Sequence, residues 1–132
     1  MFIEINFESE KPIYTQLVEQ IIAGIAKGKL QPGERLPSVR NMAEDIGINM
    51  HTVNKAYQAL RDREFILIHR QRGVVINPNG VPRADVAYVN YVMDELHPLI
   101  AESITRQISK EQFMKLVKEV YKSYSIERHD ST

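Results

Sequence analysis

The side chains best suited to chemistry in this sequence crowd one stretch, "GINMHTVNKAYQAL", running from Gly47 to Leu60. Asn49, His51, Thr52, Asn54 and Lys55 stand there, and no acid interrupts them. A second polar group follows at "RQRG", which is Arg70, Gln71, Arg72 and Gly73, and Arg40 precedes both. These groups suit the reading of hydrogen bonds better than the breaking of covalent ones. An Asn amide can bridge N6 and N7 of adenine, and a Thr offers a methyl to thymine or a hydroxyl to phosphate. A Lys reaches the acceptors of guanine. The usual apparatus of catalysis is missing: the 132 residues hold no cysteine, no Gly-rich phosphate loop and no His-Glu pair at helical metal spacing. His51, His69, His97 and His129 are dispersed and mark no shared metal site. Neither an enzyme nor a cofactor is expected.

Charge supports this through its distribution, since 17 basic and 17 acidic residues cancel overall. No Asp or Glu lies between Ile46 and Arg61, nor between Phe65 and Ala84. Those windows contain Lys55, Arg61, Arg70, Arg72 and Arg83, while the acids gather in Glu4 to Glu10 and from Asp85 onward. A positive face on a neutral protein follows, suited to nucleic acid. The lack of cysteine fits a reducing, cytoplasmic setting. "MFIEINFESEK" has no basic n-region and does not read as a signal peptide. Apolar runs such as Phe65 to Ile68 are far too short to cross a bilayer.

The elements that must position these groups are legible from period and punctuation. At about 100° per residue, Val53, Ala56, Tyr57 and Leu60 share one helical sector and must face a core. His51, Asn54, Lys55 and Gln58 fall opposite, with Asn49 and Thr52 at the N-terminal edge. Asn49 suits the cap of this helix, which reaches to about Arg63. The helix before it starts at an Ser38 cap, carries Val39, Met42, Ala43 and Ile46, and stops at Gly47. Two helices around a short Gly-containing turn form a helix-turn-helix. Upstream, "FIEINFE" alternates like a half-buried strand or extended arm. Pro12 suits the first position of a helix bearing Ile13, Leu17, Ile21 and Ile25, with Gly28 as its stop. "LQPGERLP" reads as a turn. Downstream, Phe65 to His69 and Val74 to Asn77 form a hairpin around "RQRG", with Gly73 free to take a positive φ.

The expected fold is mostly α with a small β-hairpin: a winged helix-turn-helix over residues 1–80, then a helical segment over 81–132. In that segment Val86, Val89, Met93, Leu96, Ile100, Ile104 and Ile108 recur at helical spacing, and Pro98 is expected to kink or split the helix. Ser109 and Gln112 form a capping box for a last helix carrying Phe113, Leu116, Val117, Val120, Tyr121 and Tyr124, with fraying expected from Ser125. Two such helices cannot bury wide apolar faces alone, and a second copy of the chain would cover them. Val89, Val92, Met93, Leu96, Ile100, Phe113, Leu116, Val117, Val120 and Tyr121 are the candidate dimer contacts.

From "PIYTQLVEQI" through "GERLPSVRNMAEDIGINMHTVNKAYQALRDREFI" to "RQRGVVI", the chain resembles the GntR family of bacterial transcription regulators. "LPSVR" (Leu36 to Arg40) and "TVNKAYQALR" (Thr52 to Arg61) are the most specific parts, and the short two-helix tail looks like the YtrA-type branch. The resemblance implies a homodimer on an inverted-repeat DNA operator, usually a repressor, often of neighbouring ABC-transporter genes. It implies DNA contacts at Arg40, Asn49, His51, Thr52 and Asn54, and at the wing positions Arg70 to Gly73. "NMHTV" stands where "NPNTV" is usual, Glu64 where Gly is usual, and Gln71 and Val74 where Gly and Thr are common. The competing class is a winged-helix adaptor that binds protein instead of DNA. Neutral overall charge allows it, and the acid-free face argues against it. A repressor also needs a release signal. A small-molecule effector, its identity open, would have to lodge at the dimer interface or between domains.

Overall fold

Helix ends in the first half of the chain are set by side-chain caps at Ser38 and Asn49 and by backbone closure at left-handed residues. The computed structural model describes residues 3–128, with side chains described through residue 124. Helix α1 spans Ile13–Ala26, and Pro12 sits at its N-cap, one position before the expected one. It closes through a left-handed Gly28 (φ 80°). There Gly28 N–H donates to the Ile25 carbonyl and Lys29 N–H to that of Gly24, the pairing that a left-handed C-terminal residue permits. Helix α2, Val39–Ile46, is capped by Ser38, whose hydroxyl accepts from Asn41 N–H at 3.1 Å, and ends at a left-handed Gly47. Helix α3 spans Met50–Asp62.

The sheet contains the expected hairpin and adds a third strand to it. Strand β1 is Arg35–Leu36, β2 is Ile66–His69 and β3 is Gly73–Ile76, in the antiparallel order β1-β3-β2. Arg35 pairs with Val75 and Leu36 with Val74; Ile66 opposes Ile76 and His69 opposes Gly73. The stretch "LQPGERLP" therefore contains a strand as well as a turn. Two residues carry no readable period, and this strand exists because β3 offers it a free edge and the core takes Leu36.

Leu17, Ile21, Met42, Val53, Ala56, Tyr57, Leu60 and Ile66 are sealed from solvent and join α1, α2, α3 and the sheet. Burial of each large side chain contributes roughly 1.5–3 kcal/mol. The N-terminal arm joins by unusual means. Ile3 is buried and Ile5 half-buried, while Phe7 is exposed, so the alternation reaches the core only at its start. Among the described residues no strand pairs the arm. Instead Gln20 accepts from Glu4 N–H (2.8 Å) and donates to Glu4 C=O (2.6 Å). Gln16 does the same for Asn6, at 2.9 and 3.0 Å. Residues four apart on a helix rise about 6 Å and residues two apart on a strand about 6.7 Å, so two side-chain amides can imitate a neighbouring strand.

The chain divides into two compact units, Met1–Val81 and Pro82–Thr132. In the second, helix α4 spans Val86–Thr105 and helix α5 Lys110–Arg128. Asp85 caps α4 by accepting from Tyr88 N–H at 2.8 Å. Pro98 lies inside α4 without splitting it; a proline removes one intrahelical bond, here the one to Asp94 C=O. Ser109 and Gln112 form the expected reciprocal box, Ser109 N–H donating to Gln112 Oε1 at 2.8 Å and Gln112 N–H to Ser109 Oγ at 3.1 Å. Helical backbone continues through Arg128, past the point where fraying is expected; residues 129–132, His129 included, lie outside the described residues. From 82 to 124 not one residue is buried. No helix among the described residues is long and apolar enough to cross a membrane.

Candidate nucleic-acid interface

The face of α3 divides as its period requires. Val53, Ala56, Tyr57 and Leu60 have no solvent exposure, while His51, Asn54 and Lys55 are exposed and Thr52 and Gln58 are half-buried. Tyr57 does more than fill space. Its hydroxyl donates to Pro37 C=O at 2.8 Å, tying α3 to the loop that leads into α2. Burial pushes this phenol well above the ordinary tyrosine value, so it stays protonated and keeps donating. Asn49 caps the helix, its Oδ1 accepting from His51 N–H at 2.7 Å. That bond takes one lone pair of Oδ1 and fixes the orientation of the amide. Met50, exposed, holds the first helical position, where the family pattern has Pro.

Arg40 is exposed in the first turn of α2. Arg70, Gln71 and Arg72 are exposed at the tip between β2 and β3, and Gly73 has φ 77° as expected. Sequence reasoning missed Arg35. Its Nε donates to Arg72 C=O at 2.8 Å, and its guanidinium lies 3.7 Å from where a β-carbon on Gly73 would stand. An arginine on β1 thus braces the wing tip and adds positive charge there. Only the pairing of β1 with β3 brings it near, so no local signal could reveal it. Val74, where the family usually has Thr, is buried opposite Leu36 and Ile68 and belongs to the core. Glu64, where the family has Gly, takes the left-handed conformation itself (φ 65°). Its carbonyl accepts from Asn77 Nδ2 at 3.0 Å.

Two helices meeting across Gly47–Asn49, an exposed polar face on the second, and a three-stranded wing define a winged helix-turn-helix. Residues 13–76 match the family described as "Bacterial regulatory proteins, gntR family". The chain belongs to that family and is a DNA-binding transcription regulator of the winged-helix class. It is 32% identical to the HTH-type transcriptional repressor YtrA of Bacillus subtilis over 118 residues, 89% of this chain and 91% of that protein. Among solved structures it is similar to a transcriptional antiterminator from Listeria monocytogenes EGD-e. That match has a TM-score of 0.86 and 32% identity and covers 94% of this chain and 92% of the other. It is also similar to YtrA from Sulfolobus acidocaldarius, a GntR-family transcription factor, with TM-score 0.62 and 40% identity over 76% and 99% of the two chains.

Proposed function

We propose that this protein is a cytoplasmic homodimeric repressor that binds an inverted-repeat operator, α3 of each protomer entering a major groove. The observation that carries the proposal is the exposed N-terminal face of α3, which offers hydrogen-bonding side chains and no carboxylate. Thr52, Asn54 and His51 would read base edges. Asn49 and Arg40 would hold the phosphate backbone, and Arg70, Gln71, Arg72 and Gly73 would meet the flanking minor groove. The repressor named YtrA, similar over most of both chains, supports the sign of regulation. A transporter operon beside the protein's own gene is the target that the family resemblance suggests.

Dimerisation is supported by the second unit, which leaves Val89, Met93, Ile100, Leu116, Val120 and Tyr121 exposed, and Val92, Leu96, Phe113 and Val117 only half-buried. Met93, Leu96, His97, Ile100, Ala101 and Ile104 line a groove of about 300 Å³ along α4. A second copy would cover these faces, and a small effector that releases DNA would lodge where the copies meet. Selection of bound duplexes from a random pool, with sedimentation equilibrium of protein and complex, tests the proposal. A palindromic consensus bound by two protomers is expected. Retention of no duplex would favour a protein-binding adaptor, and equal retention of every duplex would overturn the operator reading.

A further inference from the structure

Lys55 follows Asn54 on α3, yet a helical step of about 100° turns it toward a different flank. Its Nζ lies 4.0 Å from the centroid of the Tyr14 ring, in the first turn of α1. Tyr14 is half-buried and Lys55 exposed. Together with Ile13, His51 and Thr52 they line an open depression of about 400 Å³ between the first turns of α1 and α3. An ammonium over an aromatic face is held by the ring quadrupole without losing its charge or its N–H donors. A carboxylate seat would neutralise it. The ring also limits the freedom of a four-carbon stem, so less rotamer entropy remains to be lost when the lysine meets an anion.

We propose that Tyr14 is a positioning residue that seats the Lys55 ammonium on the α1 flank of the recognition helix. Lys55 thereby acts as a clamp on a DNA phosphate beside the groove and is not a reader of guanine. This rests on the assignment of α3 as the helix that enters DNA. Lys55 then contributes affinity for any duplex, and sequence preference stays with Thr52 and Asn54. The seat strengthens DNA binding by roughly two- to fivefold, the range of an exposed cation–π contact.

The test uses the full chain, a duplex selected from a random pool and a scrambled duplex of equal length, titrated by fluorescence anisotropy across salt concentrations. Lys55→Ala should weaken both duplexes by the same factor and lower the slope of log K against log salt by about one. Tyr14→Leu should weaken both by roughly two- to fivefold but have no further effect in the Lys55→Ala background. Tyr14→Phe, which keeps the ring, should bind as the wild type does. Should Tyr14→Leu fail to fold, the Lys55 ε-methylene protons read the seat directly by NMR: they are shifted upfield by the ring in wild type and in Tyr14→Phe. Unshifted protons, selective loss of preference in Lys55→Ala, or an undiminished Tyr14→Leu effect without Lys55 would each overturn the proposal. A wild type that binds neither duplex removes the DNA reading instead, and the ring shift persists in that case.

Discussion

Asn49 shows how one side chain on a recognition face can be claimed by the fold. Its Oδ1 closes the α3 N-terminus on His51 N–H, so the cap sets the direction of the amide before any base is met. Replacing it by Ser keeps a capping oxygen. Stability in urea should then stay within roughly 0.5 kcal/mol of wild type, whereas Asn49→Ala should lose about 1 kcal/mol. With Ser in place, DNA affinity should fall equally for all sequences, because only a backbone donor has gone. Asn54 is exposed on the same face. Asn54→Ala should cost about 1–3 kcal/mol against the selected operator, with little change for a scrambled duplex. Competition titrations with single-base operator variants check this. If discrimination survives at every position, Asn54 is no base reader.

At the scale of the element, helix ends decide what was legible. Ser38, Gly47, Asn49 and the Ser109–Gln112 box act within four residues of themselves, and each stands where the sequence places it. Left-handed ends without glycine carry no such signature. Glu64 and Gln107 both have positive φ, 65° and 68°, and each closes its helix with the same two carbonyl contacts that Gly28 provides for α1. An L residue in this region is strained by about 1–2 kcal/mol. Glu64→Gly should therefore raise unfolding stability by about 1 kcal/mol, measured by chemical denaturation, with the wing retained because Asn77 bonds only the backbone carbonyl there. A loss of stability would mean that the carboxylate matters more than the strain. The contacts that sequence could not reveal are non-local. Strand β1 needs β3, the Arg35 brace crosses to Arg72, Gln16 and Gln20 imitate a strand for the arm, and Lys55 reaches Tyr14. Of the two outcomes expected at Pro98, a kink or a split, the split does not occur. A proline deletes a single bond of the ladder, and a twenty-residue helix tolerates that without splitting.

For the whole molecule, the contrast between its two units carries the argument. The first has a closed core, whereas the second buries no residue among 82–124. A unit of two amphipathic helices with nothing buried gains little hydrophobic stabilisation in isolation, and the proposed second copy would supply it. Met93 and Val120 are 52% and 59% exposed, so a charge at either removes little from the protomer's own packing. In a dimer it would instead be buried and unpaired, at a cost of several kcal/mol. Met93→Glu and Val120→Glu should each shift sedimentation equilibrium toward monomer. The consequence for DNA follows from linkage. A dimer delivers its second recognition helix at a high effective concentration, and a monomer does not. Affinity for the full palindrome should therefore drop by roughly 10²-fold or more, while affinity for an isolated half-site should match wild type. Unchanged oligomeric state in both variants would place the interface elsewhere. A dimer that persists while the palindrome loses its advantage would instead make α4 and α5 setters of half-site spacing.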